Sequence, residues 1–179
     1  IRKLLDDYKN GNLSLEEAER KLKIAPVEDI GYAVVDHQRE MRNGCPEVIY
    51  CAGKTSEQIV GIIKSMIHAG TKNILGTRAS KDKFDAVKAV FDDAVYYDAA
   101  RIIKIEREPL KKTGGTVVVA TGGTSDIPVA EEAAITCEYL GNNVERLYDV
   151  GVAGLHRLLS RLDAITKADV VIAVAGMEG

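Results

Sequence analysis

Six side chains able to do chemistry stand in three short stretches toward the C-terminal end. Ser125 and Asp126 close Thr121-Gly122-Gly123-Thr124-Ser125-Asp126, Asp149 opens the stretch that reaches His156 and Arg157, and Glu178 lies in Ala175-Gly176-Met177-Glu178-Gly179. Each stretch follows an apolar run, and the first two lead into segments with helical apolar spacing. Free N–H groups and the dipole at a helix start favour a phosphate, and an arginine beside such a start suits a bidentate grip on one. A carboxylate such as Glu178 at the end of an apolar strand is costly unless it is used or paired. The pattern suits a phosphate-bearing small molecule. Simpler readings stay open: N-capping accounts for Ser125 and Asp126, a lone histidine such as His156 is often structural, and Arg157 can be a solvated surface residue.

Positioning falls to an alternating pattern. Thr116–Ala120 is rich in β-branched residues and reads as a strand. The helix after it has Pro128 near its first position, where a missing N–H is harmless, and a stripe of Val129, Ala133, Cys137 and Leu140 before Gly141. Val144–Tyr148 is a second strand, and Leu155, Leu158, Leu159, Leu162 and Ile165 stripe the next helix. Asp169–Ala175 is a third strand, apolar enough that both its faces should be covered. This β-α-β-α-β order with right-handed crossovers predicts a parallel sheet. Such sheets bind ligands beyond their carboxyl ends, the edge to which all three stretches belong.

Upstream, residues 31–106 predict a small α/β domain. Its strands are Val48–Cys51, Asn73–Gly76, Ala94–Tyr97 and Arg101–Ile105. One helix is capped by Thr55-Ser56-Glu57-Gln58 and striped by Ile59, Ile62, Ile63, Met66 and Ile67, and a second lies around Phe84–Phe91. Residues 1–30 read as a helical segment with a capping box at Ser14-Leu15-Glu16-Glu17. Residues 107–115 combine Pro, Gly and charge as a linker does, and 116–179 form the second, parallel-sheet domain. The expected fold class is α/β, with the second domain incomplete. An initial Ile and a stop just past an apolar run read as a fragment cut at both ends.

The 179 residues include 24 basic and 27 acidic ones, and a formal charge of -3 argues against general nucleic-acid binding. No apolar run nears the roughly 20 residues of a membrane span, and the first residues are no signal peptide. Three cysteines without a C-x-x-C pair fit a reduced, cytoplasmic protein. Gly53-Lys54-Thr55 looks like the end of a P-loop, but the motif's first glycine would fall on Val48. Cys137 lies on an apolar stripe and reads as core. Cys45 and Cys51 have no histidine at ligand spacing, and His37, His68 and His156 are dispersed, so no metal site is predicted.

Thr121–Asp126 followed by Glu145-Arg146-Leu147-Tyr148-Asp149-Val150-Gly151-Val152-Ala153-Gly154-Leu155-His156-Arg157 resembles the aminoimidazole ribonucleotide carboxylases and mutases. Ala175–Gly179, Asp36–Val48, Gly53–Thr55 and Thr77–Arg78 fit more closely the LarB family of nickel-pincer cofactor biosynthesis, whose C-terminal domain is similar to those purine enzymes. Departures from the purine enzymes are Gly123 for a second Ser, Leu158-Leu159 for Thr-Pro, and Glu178-Gly179 for a Gly-Gly pair. The resemblance spans Asp36 to Gly179.

It implies a flavodoxin-like second domain and an enzyme acting on nicotinic acid adenine dinucleotide. That enzyme would carboxylate the pyridinium ring at C5 and hydrolyse the phosphoanhydride, giving pyridinium-3,5-biscarboxylic acid mononucleotide and AMP. CO2 or bicarbonate would be the co-substrate and Mg2+ the expected cofactor. The alternatives are an aminoimidazole ribonucleotide carboxylase or mutase and a non-catalytic nucleotide-binding module. The implied roles place a phosphate on Ser125 and the Gly122 and Gly123 amides, a ribose hydroxyl on Asp126 and a phosphate on Arg157. His156 and Glu178 become the acid/base pair. The family's attacking cysteine would lie beyond Gly179, which would leave residues 1–179 inactive alone. Asp36, Arg39, Arg42, Lys54 and Arg78 either contact substrate or pair as a polar face. The implied partner is a small-molecule nucleotide, with no nucleic acid and no membrane; the assembly is a homo-oligomer, the purine enzymes being octamers.

Overall fold

The computed structural model describes residues 2–24, 27–37, 39 and 45–177. The chain divides into two compact units, Ile1–Glu47 with Gly61–Thr71 and Val48–Val60 with Lys72–Gly179. In the smaller unit, helices α1 (Arg2–Lys9) and α2 (Leu15–Ile24) are joined through a turn with Gly11 at φ 74°. The expected capping box is present: Glu17 N–H donates to Ser14 Oγ at 3.1 Å and Ser14 N–H donates to Glu17 Oε2 at 3.3 Å. Strands β1 (Val27–Asp29) and β2 (Val34–Asp36) then pair antiparallel. The helical reading of residues 1–30 does not foresee β1. Its turn is closed by Ile30 N–H on the Ala33 carbonyl and by Gly31 N–H on Asp29 Oδ1, with Gly31 at φ 87°.

The larger unit holds two sheets. In the first, β3 (Val48–Tyr50) lies parallel to β4 (Asn73–Thr77), β4 antiparallel to β6 (Ile102–Glu106), and β6 antiparallel to β5 (Val95–Tyr97). Helix α3 (Ser56–His68) begins in this unit, and α4 (Lys81–Lys88) connects β4 to β5. The second sheet has the order β8 (Asn143–Leu147), β7 (Thr116–Thr121), β9 (Val170–Val174), all parallel as the alternating pattern requires. The fold is mixed α/β, consistent with a flavodoxin-like arrangement of the second sheet.

Helix α5 (Ile127–Tyr139) packs on both sheets. Its Ala130 and Ala134 meet Val117 and Val119 of β7. Ile135 and Tyr139 meet Leu75, Ala100 and Ile102 of the first sheet, and the Tyr139 hydroxyl donates to the Asn73 carbonyl at 2.8 Å. On the opposite face of β7, Val118 packs with Leu147 and Val150 under Leu158, Ala164 and Ile165. Residues 107–115 are neither helix nor strand, yet Asn73 Oδ1 accepts the Arg107 and Glu108 N–H groups, and Thr113 N–H donates to the Gly141 carbonyl.

Two expectations need correction. The leucine-striped helix is two short ones, α6 (Leu155–Leu159) and α7 (Leu162–Lys167), because the Ser160 hydroxyl bonds back to the Arg157 carbonyl and Arg161 N–H closes a tight turn on Leu158. Leu158 and Ile165 pack inward while Leu155, Leu159 and Leu162 are exposed. Strand β9 is not covered on both faces either: it pairs only with β7, and Val170 and Val171 are 52% and 45% exposed. Burial on α5 therefore carries more stability than the leucine stripe. Ile135→Ala is expected to lower unfolding free energy by about 2–4 kcal/mol and Leu159→Ala by under about 0.5 kcal/mol, as measured by urea denaturation.

Candidate functional site

The site grows out of the end of β7. Thr121 is 1% exposed; its Oγ1 accepts the Asp149 N–H at 2.9 Å and its carbonyl accepts the Val150 N–H at 3.0 Å. The next carbonyl, that of Gly122, accepts the Gly151 N–H at 3.0 Å. These bonds hold the loop after β8 against the loop after β7. Asp149 takes the left-handed conformation at φ 58°, which an aspartate tolerates better than most residues. The approach is close enough to need glycine: a Cβ on Gly151 would sit 2.4 Å from the Gly122 oxygen. A Cβ on Gly122 would stand 3.0 Å from that of Ala175, so the stretch after β9 converges on the same place.

Ser125, Asp126, His156 and Arg157 are brought to this one edge. Ser125 is exposed in a 3-10 turn, Thr124–Asp126, and its hydroxyl forms no hydrogen bond among the described residues. Asp126 does not cap α5; its Oδ2 accepts the Gly123 N–H at 2.9 Å. The Gly122 N–H donates to the Val174 carbonyl at 3.0 Å. Both glycine amides expected on a phosphate are thus already bonded within the chain, because β7 extends its ladder to β9 and the Asp126 carboxylate folds back. What Gly123 contributes is open space beside Ser125, whereas Gly122 lets β7 approach Ala175 closely. His156 is exposed at the start of α6, and its neighbour Arg157 donates through Nη1 to Asp149 Oδ2, over Gly154. The sequence places Asp149 at this edge without a specific role and gives Thr121 none.

Glu178 and Arg42 lie outside the described residues. Arg39 pairs with Glu47 at 3.3 Å and Arg78 with Glu132 at 3.5 Å. Cys51 is fully buried and burial pushes its thiol up to about 11; burial also raises the Cys137 thiol, which packs beside the α5–β7 core. Neither is a nucleophile at neutral pH. Among the described residues no group of three or more His, Cys, Asp and Glu side chains could hold a metal ion, and no helix is long and apolar enough to cross a membrane.

The fold is that of a mixed α/β protein in which three loops converge at the carboxyl ends of a parallel sheet. Residues 27–108 match the profile of the LarB/PurE-like N-terminal domain. The chain is 37% identical over 194 aligned positions to an uncharacterized protein of Methanocaldococcus jannaschii, MJ0165, covering 100% of this chain and 73% of that protein. Residues 27–108 thus carry a LarB/PurE-like N-terminal domain, and the chain shares its family with MJ0165.

Gly151→Ala is expected to cost about 1–3 kcal/mol through the forced shift of two backbones. Gly123→Ala, whose Cβ would meet nothing nearer than 3.8 Å, should change stability by under about 0.5 kcal/mol; thermal or urea unfolding separates the two. With a thiol at about 11, Cys51 is only about one-thousandth thiolate at pH 8. Cys51 should therefore stay unlabelled by iodoacetamide in the native protein and react on unfolding, as read by peptide mass spectrometry.

Proposed function

We propose that this protein carboxylates the pyridinium ring of nicotinic acid adenine dinucleotide at C5 and hydrolyses the phosphoanhydride, releasing AMP and pyridinium-3,5-biscarboxylic acid mononucleotide. The observation that supports this reading is the convergence of three loops at one sheet edge, with a free serine hydroxyl, a tethered arginine and an exposed histidine around two side-chain-free positions. The LarB/PurE-like N-terminal domain supports the reaction class.

A pyridinium ring is electron-poor and does not attack CO2 unaided. A thiolate that adds to it converts it to an enamine, whose C5 attacks CO2. A base then removes the C5 proton, the thiolate leaves and the aromatic ring returns. Water separately cleaves the phosphoanhydride. In this scheme Ser125 and Arg157 hold phosphate oxygens, and the free valences of Asp126 accept a ribose hydroxyl. His156, with Glu178 as its partner in acid/base work, moves the proton. Cys51 is too buried to be the adding thiol, and the resemblance implies that this thiol lies outside residues 1–179. Among the described residues no group of three or more His, Cys, Asp and Glu side chains fits Mg2+.

The test is incubation of the full gene product with nicotinic acid adenine dinucleotide, bicarbonate and magnesium, beside a parallel reaction with aminoimidazole ribonucleotide, read by mass spectrometry. AMP together with a mononucleotide one carboxylate heavier than nicotinic acid mononucleotide is expected. Carboxylation of the imidazole alone would move the protein to purine synthesis, and no product in either would leave a binding module. His156→Ala should reduce product formation by about 100-fold or more with unfolding unchanged, since His156 is exposed. Loss of folding in that variant would overturn its catalytic role.

A further inference from the structure

The first sheet has a charged feature that the proposed reaction leaves unused. At the carboxyl end of β3, Lys54 Nζ donates to the Tyr50 carbonyl at 2.9 Å and Lys83 Nζ donates to the Cys51 carbonyl at 2.9 Å. The two lysines come from different segments, the turn before α3 and the first turn of α4, and both are half-buried. Among the described residues neither ammonium has a carboxylate within ion-pair distance, whereas Lys81 pairs with Asp85 and Lys104 with Glu106. Nearby Arg78, over the Tyr50 ring at 6.0 Å, is already engaged by Glu132.

Two ammonium groups held on the carbonyls of adjacent residues concentrate positive charge at this edge, with the Asp82 charge acting on Lys83. Carbonyl dipoles and Asp82 offset part of that charge, and an anion would offset more. Both ammonium charges act on the Cys51 thiol in the direction that lowers its pKa, although burial outweighs them. The turn is unobstructed: Gly53 stands at φ 79°, and a Cβ there would meet nothing within 4 Å. The first turn of α3 satisfies itself, with Gln58 N–H on Thr55 Oγ1 and Thr55 N–H on Gln58 Oε1. Side chains, not helix N–H groups, would therefore hold the ligand.

We propose that Lys54 and Lys83 form a second anion site, at the carboxyl edge of β3, that binds the phosphoryl group of a small molecule. Lysine binds phosphate as a point charge with rotatable donors, and each ammonium here keeps two donors beyond its carbonyl bond. The site stands on its own and does not depend on which reaction the loops after β7 perform.

The test titrates inorganic pyrophosphate at low salt into isotope-labelled protein and follows the lysine ammonium resonances by NMR. Saturable shifts of Lys54 and Lys83 are expected, ahead of the other lysines. Lys54→Gln and Lys83→Gln should each weaken binding about tenfold, a loss of about 1.4 kcal/mol. Arg157→Ala, in the other sheet's loops, should leave those shifts in place. Shifts spread over all lysines alike, unchanged affinity in both Gln variants, or disappearance of the shifts in Arg157→Ala would overturn the proposal. Where a Gln variant fails to fold, the ammonium shifts of the unsubstituted protein decide it.

Discussion

The double-sided packing of α5 sets the geometry of everything around it. A helix that buries one stripe fixes one neighbour; this one buries two. Small residues, Ala130 and Ala134, bring it close to β7, while Ile135 and Tyr139 fill the space toward β4 and β6. The register of β7 against the first sheet thereby follows from a single helix, and β7 runs directly into Thr121 and the ligand loops. A polar network binds β8 to the same helix: Arg146 bridges Glu131 at 3.1 Å and Glu138 at 2.6 Å, and the Tyr148 hydroxyl donates to Glu131 at 2.5 Å. Burial and the Glu131 charge push that hydroxyl up to about 12. It stays a protonated donor at any pH near neutrality, so the link to α5 does not loosen with modest changes in pH.

At the site itself, main-chain bonding decides which groups are left for a ligand. Once β7 extends its hydrogen bonding to Val174 through Gly122, and Asp126 turns back onto Gly123, these two amides have no donor to offer. The available groups are side chains: Ser125, His156, and Arg157 on its Asp149 tether. The glycines matter for closeness, since the Gly151 and Gly122 backbones meet without room for a Cβ.

The strands of the two larger sheets and the extent of α5 were legible because β-branched runs and Pro128 act locally, and the capping boxes at Ser14 and Thr55 were legible for the same reason. The buried face of α5 was not: Ala130, Ala134, Ile135 and Tyr139 are buried, while Val129 of the expected stripe is exposed. The gathering of the three loops at the carboxyl edge followed from strand order alone. Less visible was whatever depends on a partner distant in sequence. The Thr121–Asp149 bond spans 28 positions and leaves no periodic trace. The leucine spacing from 155 to 165 is helical on paper, yet one serine hydroxyl and a tight turn divide it, and half the stripe faces outward. The β1–β2 hairpin rests on a four-residue connection around Gly31, too short a signal to outweigh the helical pattern before it.

The two edges proposed to take anions differ in their electrostatics. Arg157 has a carboxylate partner, but both side chains are substantially exposed, at 40% and 47%. A pair so placed contributes little to stability; in the proposed reaction it would aim the guanidinium, and a phosphate could share or replace Asp149 at small cost. Among the described residues the Lys54 and Lys83 ammonium groups bond to carbonyl oxygens, with the Asp82 charge acting on Lys83, so a phosphoryl group at the proposed site would not have to displace a bonded carboxylate. Binding at the Asp149 edge should accordingly tolerate chemical variety in the guest while keeping its orientation, and binding at the lysine edge should follow the charge of the guest above all.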